Sequence, residues 1–133
     1  MGIAAYGQVY ADETILPSTP RRHHASLRDS IAACDQNAYV EAVRSVFTED
    51  VRDILAGMRI PVLVVVGEKD NRTPPSLSEA IVALVPGSAY RTIPEAAHLA
   101  NLDNPEGFHA AVDPFLLACG ERGNDRAEAL RRT

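Results

Sequence analysis

Two short stretches carry the residue types that can do chemistry. Gly67-Glu68-Lys69-Asp70-Asn71-Arg72-Thr73 and Pro94-Glu95-Ala96-Ala97-His98 each follow an apolar run, so an aspartate and a histidine stand on loops at comparable places. A carboxylate beside an imidazole fixes its tautomer and stabilises the imidazolium formed when it takes a proton from a nucleophile. That is the reason to pair Asp70 with His98, although a loop histidine can also serve only to bond a backbone carbonyl. Glu68 is the competing acid; it reads as solvated or turn-forming, because Asp70 ends the turn facing the site. Asn71 and Arg72 read as turn-capping residues without a catalytic part.

The other candidates have plainer readings. His109 falls inside an amphipathic stretch, and His23 and His24 follow Arg21-Arg22 in what reads as a polar loop, without the further ligands a metal site needs. Cys34 and Cys119 form no CxxC pair, so they suggest neither zinc nor a disulfide framework and read as packed small hydrophobes in a reducing cytosol. A nucleophilic Cys34 would need a base beside it, and none is near in the sequence. Tyr6, Tyr10 and Tyr39 either line a pocket or pack helices together.

Hydrophobic spacing supplies the elements that must position these residues. Ile3, Tyr6, Val9 and Tyr10 predict a helix ending before Pro17, and Leu16 to Pro20 then forms a loop. Leu27, Ile31 and Cys34 predict a second helix over Ala25 to Ala33; Tyr39, Val43, Val46 and Phe47 predict a third behind an Asp35 cap. One or two turns through Val51, Ile54 and Leu55 end at Gly57. The texture then changes: Ile60-Pro61-Val62-Leu63-Val64-Val65-Val66-Gly67 has no polar alternation, the pattern of a strand covered on both faces in a parallel sheet. Pro74-Pro75 opens a helix that Pro86-Gly87 stops, Ala89 to Ile93 is a second strand, and Asp103 or Asn104 caps a last helix in which Pro114 can make a kink. The tail from Gly120 is charged and reads as a frayed helix or disorder. A strand, a helix and a second parallel strand make one crossover unit, and ligand sites in such sheets lie beyond the strands' carboxyl ends, where Asp70 and His98 stand. Two strands do not make a stable sheet, so the fold reads as incomplete.

Bulk properties bound the function. With 133 residues one domain is expected, and a net charge of -5 gives no basic field for nucleic acid. No stretch approaches a membrane span, and the start lacks a basic secretory region, so a cytoplasmic protein is the expectation.

Ile60-Pro61 through Gly67-Glu68-Lys69-Asp70, then Thr73-Pro74-Pro75, then Ala96-Ala97-His98, resembles the seventh and eighth strand region of α/β-hydrolases. The resemblance implies that Asp70 is the triad acid and His98 the triad histidine, in the family's order of serine, acid, histidine. It covers Val51 to Ala118 and implies an α/β fold in three parts. Residues 1–57 are a helical lid or cap, residues 58–119 the C-terminal β-α-β-α portion with two parallel strands and an incomplete sheet, and residues 120–133 a charged tail. Within the family, Ala32-Ala33-Cys34-Asp35-Gln36-Asn37-Ala38-Tyr39 with Asp50-Val51-Arg52 is similar to 3-oxoadipate enol-lactonases and related esterases, which implies an ester or lactone substrate and no cofactor or metal. The sequence departs from the family pattern in having no Gly-x-Ser-x-Gly; Ser18, Ser26, Ser30, Ser45, Ser76, Ser78 and Ser88 all lie outside any strand-to-helix elbow. The nucleophile, serine or the aspartate of dehalogenase-like relatives, would come from elsewhere. Partners left open are therefore a complementing N-terminal half or a second copy joined through the exposed strand edge.

Overall fold

A computed structural model describes residues 1–131, with side chains described through residue 121. Four helices come first: α1 (Ile3–Thr14), α2 (Arg21–Ala32), α3 (Gln36–Thr48) and α4 (Arg52–Ala56). There follow β1 (Leu63–Gly67), α5 (Pro75–Leu84), β2 (Ala89–Ile93), α6 (Ala100–Asp103) and α7 (Pro105–Arg131).

The helical segment is built on close approach of α1 and α2. A Cβ on Gly7 would stand 2.6 Å from the Arg28 carbonyl oxygen, so the two backbones meet where only glycine fits. Asp35 caps α3 by accepting from the Ala38 amide at 2.9 Å. That helix rests on α1 through the Tyr6–Tyr39 ring contact and the Ile3 N–H, which donates to Gln36 Oε1 at 3.1 Å. Neither α3 nor α4 has a buried residue. The second helix begins at Arg21 rather than Ala25, so His23 and His24 are helical, not in a loop. Pro20 occupies its cap position, and the His24 ring reaches the Leu16 carbonyl at 3.2 Å, which holds the first turn down. Cys34 follows α2 and is exposed, against the reading of a packed thiol, and Cys119 is partly covered.

The sheet has two parallel strands, in register from Leu63 opposite Ala89 to Gly67 opposite Ile93. Pairing starts at Leu63, not Ile60: Pro61 has no N–H to give to a ladder, and Ile60 is left exposed. Pro75 opens α5, and Gly87, at φ +75°, turns the chain toward β2. Asn104 caps α7 by accepting from the Gly107 N–H at 2.8 Å, and the helix runs on through Pro114. The segment from Gly120 continues α7 to Arg131, where frayed helix or disorder was the expectation; residues 132–133 lie outside those described.

The core is small. Its cluster is Ile93, Ala96 and Ala100, with Val65, Phe108 and Ala111 packed around it. Leu63, Val64 and Val65 are only half-buried, short of the two-sided cover their composition fits. Helices α5 and α7 lie against the strands, and among the described residues one edge of each strand is unpaired. Phe47, Ile54, Ile60 and Leu117 are also exposed among the described residues.

Candidate active site

The carboxyl ends of β1 and β2 bring both chemical loops together. Gly67 ends β1 with the Ala96 and Ala97 carbonyl oxygens 2.4 and 2.1 Å from where a Cβ would be, so the loops cross with no room for a side chain. The Glu68 N–H donates to the Ile93 oxygen at 2.9 Å and the Lys69 N–H to the Ala96 oxygen at 2.8 Å, which continues the seam beyond the strands. Glu68 accepts from the Glu95 N–H at 3.2 Å and Lys69 pairs with the Glu95 carboxylate, while Glu95 itself sits at φ +50°. Glu68 is thus a turn-forming residue.

Asp70 emerges from this seam buried, with 4% of its surface exposed. One oxygen accepts from the Arg72 and Thr73 N–H groups, both at 2.9 Å; the other accepts from the Thr73 hydroxyl at 2.8 Å and lies 3.0 Å from His98 Nδ1. Burial pushes the Asp70 carboxyl up, but the Thr73 amide, His98, the Thr73 hydroxyl and the Arg72 amide together hold it below its ordinary value. An ionised Asp70 assigns the proton to Nδ1 of His98, with Thr73 Oγ1 3.0 Å from the same nitrogen. The Nε2 lone pair is then available, and it bonds to none of the described residues. The pairing drawn from the sequence is present in space; Thr73, given no role of its own in the sequence reading, is a third member that its Asp-x-x-Thr spacing could have suggested.

His98 is held from two sides. Its N–H donates to the Thr14 carbonyl at 3.1 Å, at the end of α1. Asp103 accepts from the Ala97 N–H at 2.7 Å and, with its other oxygen, from the Leu16 N–H at 2.9 Å and from the Thr19 hydroxyl. Asn104 donates to the Pro94 carbonyl at 3.0 Å. Sequence spacing offers Asp103 as a helix cap; its partners 84 and 87 residues away give no local signal. Thr14 is fully buried and its hydroxyl has no hydrogen-bond partner among the described residues. Arg72 stacks on the Tyr10 ring, 4.7 Å from its centroid, and reaches Glu13 at 3.5 Å.

The remaining candidates stand apart from this cluster. His109 pairs with Asp113 one turn along on an exposed face of α7 at 3.3 Å, and the Cys34 thiol reaches the Ser30 carbonyl. Tyr6 and Tyr39 pack α1 against α3, with Tyr10 against Tyr6 on α1, and Tyr6 and Tyr39 also line a groove of about 330 Å³. Among the described residues no three histidines, cysteines or carboxylates gather as a metal site. Nor is any described helix long and apolar enough to cross a membrane.

The comparisons bear on the fold of this parallel β-α-β unit. The α/β hydrolase fold family model matches residues 5–105, and the chain belongs to that family. It is 32% identical over 87 residues to 3-oxoadipate enol-lactonase 1 of Acinetobacter baylyi, covering 65% of this chain and 32% of that one. It is 34% identical over 80 residues to a pimeloyl-(acyl-carrier protein) methyl ester esterase of Neisseria meningitidis, covering 60% of this chain and 26% of the esterase. The enol-lactonase of Burkholderia xenovorans LB400 superimposes with a TM-score of 0.79 at 22% identity, over 87% of this chain and 45% of that structure. This chain thus spans about a third or less of the curated relatives and under half of the solved one. The structural likeness confirms the expected fold, the C-terminal portion of an α/β-hydrolase.

Proposed function

We propose that the chain is the lid and last two strands of a serine-type hydrolase acting on a small ester or lactone. The observation that carries this is the Asp70–His98 contact, which leaves Nε2 of His98 ready to act as base. Asp70 orients the imidazole and stabilises its cation; His98 takes the proton from a nucleophile and returns it to the leaving group. The names of the enol-lactonase and esterase relatives support an acyl substrate, and the resemblance of Ala32 to Tyr39 to enol-lactonases favours a lactone. This mechanism calls for no metal or cofactor. Residues 1–57 act as the lid, and the nucleophile and oxyanion hole come from a complementing N-terminal half, because the sequence contains no elbow serine. The chain works in the cytoplasm.

Tested alone, the purified chain is expected to show no hydrolysis of p-nitrophenyl acetate or an enol-lactone above a His98→Ala control. Co-expression with an α/β-hydrolase N-terminal half that carries an elbow serine should restore His98-dependent turnover. Turnover by the chain alone that His98→Ala abolishes would refute the need for a complement. A second reading, a non-catalytic remnant that dimerises through the β1 edge, is favoured by the half-buried valines of that strand. Dimers on the same sample, with no gain on complementation, would select it.

A further inference from the structure

The Asp103 carboxylate joins three places that are far apart in the chain. Oδ2 takes the N–H of Ala97, the residue before His98. Oδ1 takes the Leu16 N–H and the Thr19 hydroxyl, both in the linker between α1 and α2. Thr19 is buried, and its hydroxyl bonds nothing else among the described residues. The same linker follows Thr14, whose carbonyl takes the His98 N–H. The backbone on both sides of the Ala97–His98 peptide is therefore fixed by groups that depend on where the linker sits.

We propose that Asp103 is a positioning residue that couples the seating of the Leu16–Thr19 linker to the placement of His98 against Asp70. A carboxylate suits this task because its two oxygens accept several N–H and O–H donors at once, and bonds to a charged acceptor are stronger than neutral ones. With the linker seated, both Asp103 oxygens are engaged and the Ala97 amide is locked. When the helical segment lifts, Oδ1 loses its donors, the Thr14 carbonyl leaves the His98 N–H, and the carboxylate turns toward water. His98 then loses both backbone anchors and its ring can leave Asp70. The position of the helical segment thus decides whether the acid–histidine pair is assembled. This rests on the reading of Asp70 and His98 as the working pair, and it requires no nucleophile.

The readout is the downfield Nδ1–H proton resonance of His98 in NMR of the intact chain, with its line width reporting exchange with water. Asp70→Asn erases the resonance. Asp103→Asn keeps the shape but loses an acceptor oxygen, and it raises the exchange contribution about tenfold or more while helix content stays at the wild-type level. Thr19→Val, whose altered side chain touches Asp103 rather than His98, raises it about threefold, and adds nothing when Asp103 is already Asn. A purely local structural role for Asp103 would leave the Thr19→Val resonance at the wild-type width, and that result overturns the coupling. An unchanged resonance in Asp103→Asn, with Asp70→Asn still erasing it, overturns the proposal alone. A resonance that survives Asp70→Asn overturns the acid–histidine pairing and the proposal with it.

Discussion

Replacing Gly67 with alanine puts one methyl group against the backbone of the loop that carries His98. The new Cβ would lie 2.1 Å from the Ala97 oxygen and 2.4 Å from the Ala96 oxygen, whereas real Cβ contacts stay above 3.0 Å. Backbone carbonyls cannot rotate aside, so the loops must part by roughly 1 Å, the usual response to overpacking. The seam that would open contains the Lys69 N–H to Ala96 oxygen bond of 2.8 Å and the Glu68 N–H to Ile93 oxygen bond of 2.9 Å. Overpacking costs about 1–3 kcal/mol and each weakened bond about 0.5–1.5 kcal/mol, so a loss of about 3 kcal/mol is expected. Urea unfolding followed by far-UV circular dichroism measures it. Gly120→Ala is the control: a Cβ there meets nothing within 4 Å in a helical position, so it should stabilise by up to about 1 kcal/mol. A Gly67→Ala midpoint level with wild type, beside a stabilised Gly120→Ala, would refute the claim that the two loops are packed backbone to backbone.

Three further outcomes follow from the same geometry. The folded-state pKa of Asp70 lies below its unfolded value, so its stabilisation is complete above that unfolded value of about 3.9 and fades as pH falls through the lower folded value. The unfolding difference between wild type and Asp70→Asn, about 1–3 kcal/mol near neutrality, should therefore shrink in acid urea titrations. Burial, followed by the Tyr6 hydrogen bond, raises the Tyr39 phenol to about 12; an ultraviolet titration should show a tyrosinate step there that is missing in Tyr39→Phe and moves down in Tyr6→Phe. Asn104→Ala removes the cap of α7 and the bond to the Pro94 oxygen, and should cost about 1–2 kcal/mol in the same urea assay.

What the sequence made legible was what depends on near neighbours. The unbroken run ending Val64-Val65-Val66-Gly67 marks β1, Pro74-Pro75 and Pro86-Gly87 bracket α5, and the loops after the strands hold Asp70 and His98. Their meeting follows from parallel pairing, which sets both strands' carboxyl ends on one side. Local spacing could not reveal Asp103, since its donors lie on the linker after α1, nor the early start of α2, whose first turn is polar and held by the His24 contact with Leu16. The count of two strands already pointed to an incomplete sheet, but the valine run by itself states what β1 needs on its faces, not how far this chain covers them.

The site's contacts also differ in the loop each must close, and that sets an order of assembly. Asp70 and His98 are 28 residues apart and β1 meets β2 across one helix, whereas Asp103 finds Leu16 and Thr19 across 87 and 84 residues. Short closures are entropically cheaper and form sooner. During refolding the acid–histidine pair should thus appear with the crossover unit, and the anchoring of its histidine loop should come last, when the first helices dock. A newly made chain would carry a formed but loosely held pair until that docking step.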